Sequence, residues 1–160
     1  MGRALFFLLP FCLLLTEAEA IDLTVSGGWS RIIDASDLAG RAAGNNLLDT
    51  YESTTQATNI TIYNCAGDSD NWRVDIRRWG EGDWPSDFTL FVKRTSDGAG
   101  SGSISGDFSY LEITSTDTPF FSGSGDRSNI TVQYELTGMS IDISPNYYEV
   151  QVILTVEDIP

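Results

Sequence analysis

The chain has 160 residues, with 23 acidic side chains against 9 basic ones, a formal net charge of −14 and no histidine. Such acidity argues against nucleic acid, whose phosphates demand a basic footprint, and equally against anionic lipid headgroups. Without histidine there is no Ser-His-Asp triad, no His-activated thiol and no imidazole zinc site, so the chain is expected not to be an enzyme.

Residues 1–20 read as a secretory signal peptide. Arg3 gives a positive start, 4–15 is apolar with one break at Pro10, and Ala18-Glu19-Ala20 forms a small-x-small cleavage site. The apolar run is shorter than the roughly 20 residues that a membrane helix needs, so no membrane insertion of the mature chain is expected. Cleavage would remove Arg3, Glu17 and Glu19, turning −14 into −13, and would leave 21–160 as one secreted domain. It would also remove Cys12, leaving Cys65 with no disulfide partner inside the domain; a buried thiol is favoured over an intermolecular link.

The remainder alternates with period two, the mark of strands with one buried and one wet face. Ile21, Leu23, Val25, Gly27 and Trp29 share one parity of a first strand. The stretch 34–53 is rich in Ala, Gly, Asn and Asp and reads as a long connection with a helical turn near 38–43, weakened by Gly40 and Gly44. Strands follow at 58–63, 72–78 and 88–94, with a turn at 67–70. The Gly/Ser-rich stretch 95–106 is expected as a flexible connection with a short strand at 103–105. After a strand at 108–114 and a turn-rich approach at 119–125, the longest alternations close the chain at 130–136 and 148–156. Seven to eight short strands without a convincing helix predict an all-β fold, a single Ig-like or Greek-key β-sandwich.

Few residues offer chemistry. Asp83 and Asp87 lie beside Trp79 and Trp84, and paired carboxylates among aromatics can line a sugar site; the same residues also suit a polar, aromatic-flanked loop. Asp68, Asp70 and Asn71 are oxygen donors of the kind calcium takes, although Asx turns use the same residues. Trp72 shares the parity of Val74 and Ile76 and is expected in the core. Asn59 and Asn129 open Asn-x-Thr acceptor patterns for glycosylation.

The closing segment Ser144-Pro145-Asn146-Tyr147-Tyr148 followed by the alternating run to Val156 resembles the final strand of exported pilin-like sandwich domains, including spore-coat-U-like and chaperone–usher subunits. That resemblance implies a surface-structure subunit and carries over no catalytic residue. The expectation is therefore a prokaryotic, secreted or cell-surface structural subunit of a filament, sheath or coat. It would form a homo-oligomer or homopolymer by strand addition through Ile21, Leu23, Val25, Gly27 and Trp29, although the same strand suits pairing within its own domain equally well. The alternative is a secreted adhesion module binding surface glycans through Trp79, Trp84, Asp83 and Asp87, with no cofactor other than calcium.

Overall fold

The computed structural model describes residues 20–80, 82–106 and 108–159, so the expected leader lies outside the described residues but for Ala20. Eleven strands run through the described residues: β1 (Asp22–Gly27), β2 (Tyr51–Glu52), β3 (Thr58–Tyr63), β4 (Asn71–Trp79), β5 (Thr89–Arg94), β6 (Ala99–Gly100), β7 (Ile104–Ser105), β8 (Leu111–Glu112), β9 (Thr118–Ser124), β10 (Arg127–Thr137) and β11 (Gln151–Asp158). Their pairing is antiparallel throughout and builds two sheets. Sheet one has the order β1-β3-β10-β5-β8, with β2 and β6 also paired to β10; sheet two has the order β11-β4-β9-β7. The fold is a β-sandwich, as the alternation predicts.

Period-two residues from both sheets meet in one core. Ile60 and Ile62 of β3, Val92 of β5, and Ile130 and Val132 of β10 face Trp72, Val74 and Ile76 of β4. Trp72 is 0% exposed. Its indole Nε1 donates to the Gly125 carbonyl at 2.9 Å, which satisfies the one polar atom that burial would otherwise penalise. Its ring meets Phe121 edge to face at 6.0 Å.

Several stretches depart from the sequence reading. Residues 118–124 form strand β9 rather than a turn, hidden in the sequence for two reasons. A bulge opposite Val74 and Asp75 interrupts the alternation near Phe120, and Gly123 replaces a side chain because the Trp72 ring would lie 2.6 Å from its Cβ. The closing strand starts at Gln151 rather than Tyr148, whose ring instead packs on Phe88 at 5.5 Å while its hydroxyl donates to the Ser144 carbonyl at 2.6 Å. The long connection carries two short 3₁₀ turns, Ala35–Asp37 and Ala39–Arg41, together with β2.

The Gly/Ser-rich stretch 95–106 departs as well. It is an ordered crossing that passes from sheet one, where β6 pairs with β10, to sheet two, where β7 pairs with β9. Gly98, Gly100 and Gly102 lie on the backbone of the β9–β10 corner, and an added Cβ would overlap the carbonyl oxygens of Ser128, Asp126 and Ser124 respectively. Two buried arginines hold the crossing down. Arg94 donates to the Gly106 carbonyl at 2.5 Å and pairs with Asp97, while Arg127 donates to the carbonyls of Asp97, at 3.0 Å, and Gly102.

Because the atom that would clash at Gly102 is backbone, it cannot swing aside. Gly102→Ala is expected to destabilise the fold by about 1–3 kcal/mol, whereas Gly67→Ala, in open space, should stay within about 0.5 kcal/mol. Urea unfolding of the two variants against the parent checks this, and equal midpoints would contradict the packing.

Candidate functional site

Sheet geometry first decides which strands remain available to a partner. Each sheet has two outermost strands, and the two ends differ. At one end stand β8 and β7, two residues each. At the other stand β1, of six residues, and β11, of eight, which approach each other across the sandwich. Among the described residues each of these long strands has a strand partner on one side only, β3 for β1 and β4 for β11. Long outermost strands present rows of unpaired N–H and C=O groups, and short ones do not.

The five residues expected to carry strand addition lie on or beside β1, which here pairs with β3 of its own domain from Asp22 opposite Tyr63 to Gly27 opposite Thr58. Ile21, Leu23 and Trp29 are half-buried against the core, while Val25 is 42% exposed. Core-facing residues of an outermost strand lie at the rim of the sandwich, which accounts for the incomplete cover. Gly27 is required by the backbone: its φ is +102°, and a Cβ would overlap the Ala57 carbonyl. From Gly28 to Asp34 the chain forms neither helix nor strand, and Asp34 itself is extended.

The two tryptophans singled out for sugar binding have different roles. Trp79 ends β4 on the outward parity and is 61% exposed, with the Arg77 guanidinium 5.6 Å from its ring centroid. Arg77 in turn pairs with Asp117 at 3.2 Å, and Gln151 of β11 stands opposite Trp79. Trp84 is half-buried: its Nε1 donates to the Phe88 carbonyl at 3.2 Å and its ring meets Phe88 at 5.4 Å. Asp83 and Asp87 are exposed residues of the loop carrying Trp84. Sequence reasoning overlooked Arg77, whose place beside Trp79 follows from i, i+2 spacing on a strand.

The calcium candidates serve local structure. Asp68 accepts from the Ser101 hydroxyl, and an Asp70 carboxylate oxygen accepts from the Ala66 N–H at 2.7 Å. Asn71 opens β4, and its carbonyl accepts from the Ile159 N–H at 3.0 Å. Among the described residues no group of three or more His, Cys, Asp or Glu side chains stands close enough to hold a metal ion. The two sequon asparagines meet each other: Asn59 Nδ2 donates to Asn129 Oδ1 at 3.1 Å, with Asn129 at the β10 bulge and φ +59°.

On the outward face of sheet one, Lys93 lies 4.1 Å over the Tyr110 ring, and the Tyr110 hydroxyl donates to Glu52 at 2.6 Å. Burial, then the bond to Glu52, pushes the Tyr110 phenol above its ordinary pKa. No sequence signal pointed to this cluster, because its members come from three separate strands and loops. Cys65 is half-buried against the core, and burial together with Asp126 pushes its thiol up to about 12.

Comparison with family models, curated proteins and solved structures finds no match for this chain.

Two expected outcomes follow from these placements. At pH 8 a thiol of pKa about 12 is about one part in ten thousand thiolate, so Cys65 should resist iodoacetamide until the chain is unfolded; brisk alkylation of the folded protein would contradict its environment. Trp84→Ala should cost about 3–5 kcal/mol by emptying its place against Phe88, whereas Trp79→Ala should cost less than about 1 kcal/mol. Thermal melts of the two variants separate a supporting tryptophan from an exposed one.

Proposed function

We propose that this chain is a non-enzymatic, exported structural subunit of a prokaryotic cell-surface or extracellular filament, sheath or coat, and that copies join by β-strand addition. The observation that carries the reading is the position of β1. It is the first strand, outermost and largely exposed, with Leu23 half-buried, and a connector over 28–34 that forms neither helix nor strand joins it to the rest. If β1 leaves, the edge of β3 and the flank of Ile60 and Ile62, now 0% and 1% exposed, open to solvent. A neighbour's β1 restores the same pairing in trans, so the exchange conserves its contacts. The contact is heterologous and extends into an open polymer. The resemblance of the closing segment to pilin-like subunits points the same way.

A second reading, a glycan-binding adhesion module with calcium as an accessory ion, draws on the exposure of Trp79 beside Arg77. An indole face flanked by a guanidinium suits the apolar face of a sugar ring.

Light scattering after size exclusion, with negative-stain imaging of the exported chain, tests the leading reading. Oligomers or filaments are expected. Leu23→Asp should abolish them, since a charge would enter the core rim, while Thr24→Asp on the wet parity should leave them intact. A 21–33 peptide should cap the acceptor edge and shorten the assemblies. A strictly monomeric parent, or a Leu23→Asp variant that still polymerises, overturns strand exchange at β1. Quenching of Trp79 fluorescence by soluble glycans, with and without calcium, in a monomeric protein would favour the second reading.

A further inference from the structure

The closing strand has a property that strand exchange at β1 does not use. From Val150 to Val156 the chain reads Val-Gln-Val-Ile-Leu-Thr-Val, without a charge, a proline or a glycine. Uncharged β-branched runs of this kind pair strongly with copies of themselves when exposed on an edge. Soluble proteins usually guard such an edge with lysine, proline or a bulge. None of these interrupts β11, whose register with β4 is unbroken from Gln151 opposite Trp79 to Asp158 opposite Trp72. Val152, Leu154 and Val156 point to the core but are only half-buried, and Ile153 is a half-buried aliphatic on the outward parity.

From this edge we infer that two copies of the chain pair through β11, strand against strand and antiparallel, in a closed two-fold dimer. The contact is isologous, so it terminates after two copies, unlike the open chain that β1 exchange would make.

Hydrogen-bonding capacity, parity and charge support a second copy as the occupant and select its register. A same-parity antiparallel ladder pairs seven of the eight residues of β11 and offers about six to eight backbone hydrogen bonds, within the roughly ten, give or take five, of a standard interface. Residues directly opposite in an antiparallel ladder share a face, so pairing even with even numbers keeps both cores on one side of the joined sheet. Centring on Ile153 would pair only 151–155 of β11, and centring on Thr155 would set Glu157 against Ile153 and Asp158 against Val152, charges against aliphatic side chains. Centring on Leu154 instead sets Val152 against Val156, Ile153 against Thr155, and Gln151 against Glu157, with no acid facing an acid. Glu157 also pairs within its own chain with Arg73 at 2.5 Å, a guanidinium that it shares with Asp75. The Leu154-centred register is therefore the one assigned.

The test uses the exported full-length chain in sedimentation equilibrium across a concentration series, with circular dichroism to confirm folding. In the Leu23→Asp background, where open polymers are removed, a dimer is expected. Ile153→Lys combined with Thr155→Lys brings four ammonium groups together at the joint and should weaken dimerisation at least 100-fold, while Ile153→Val should preserve it. Thr155→Lys faces the buried Asp75 within its own sheet, so that single variant provides a second, milder probe if the pair fails to fold.

Register is read separately. In a Cys12→Ser, Cys65→Ser background, Leu154→Cys should form an intermolecular disulfide on mild oxidation, and Val152→Cys, which faces Val156, should not. Leu23→Asp distinguishes the two contacts: it should remove open polymers and leave this dimer in place. A chain monomeric at every concentration, a dimer indifferent to the lysines, or cross-linking at 152 equal to that at 154 would overturn the assignment.

Discussion

The guanidinium groups of Arg94 and Arg127, 2% and 7% exposed, reach backbone carbonyls at both ends of the 95–106 crossing, and the sandwich depends on that grip. Glycine and serine bring almost no apolar surface, so this stretch cannot order itself by burial. Its carbonyls instead receive charge-assisted hydrogen bonds from donors that cannot lose their proton. Alternate glycines then let the backbone settle on the β9–β10 corner, where any side chain would collide. Once settled, the crossing adds β6 to sheet one and β7 to sheet two, and it lies against the corner whose Gly125 carbonyl receives the Trp72 indole.

That crossing leaves the molecule lopsided. On the side of β7 and β8 the chain itself passes between the sheets and the outermost strands are stubs. On the opposite side β1 and β11 lie near each other as long outermost strands, carrying aliphatic side chains that the domain covers only in part. Partial cover of core-facing residues along two parallel rims concentrates both unpaired backbone and apolar surface on one side. A chain with 23 carboxylates keeps its copies apart by charge almost everywhere else. The uncharged runs 23–27 and 151–156 of this rim are where copies can approach at least electrostatic cost, and this ties the proposed assembly to a feature of the fold rather than to composition alone.

Residue types that suggest chemistry mostly support structure. Trp84 braces Phe88, which in turn receives Tyr148. Asp70 and Asp126 organise the turn around Cys65, and the same acids make its thiol harder to ionise. The two sequon asparagines hold β3 to the β10 bulge. The exposed exception is Trp79, which lies beside the Arg77 guanidinium on the outward parity of β4.

By itself the sequence determined the all-β class, the core parity of β3, β4, β5 and β10, and the burial of Trp72, because alternation is a local property that each strand displays independently. It could not reveal β9, where a bulge and a glycine demanded by a distant indole erase the alternation. Nor could it distinguish a flexible Gly/Ser linker from a crossing clamped by two arginines, since Arg94 bonds a carbonyl 12 positions on and Arg127 bonds carbonyls 25 and 30 positions back. The proposed site divides the same way. The apolar parities of 21–29 and 150–156 were legible, but whether those strands stand at the centre or the rim of a sheet depends on which partners flank them. Only the tertiary structure decided that, because strand order is set by non-local pairing and leaves no trace in the period of the strand itself.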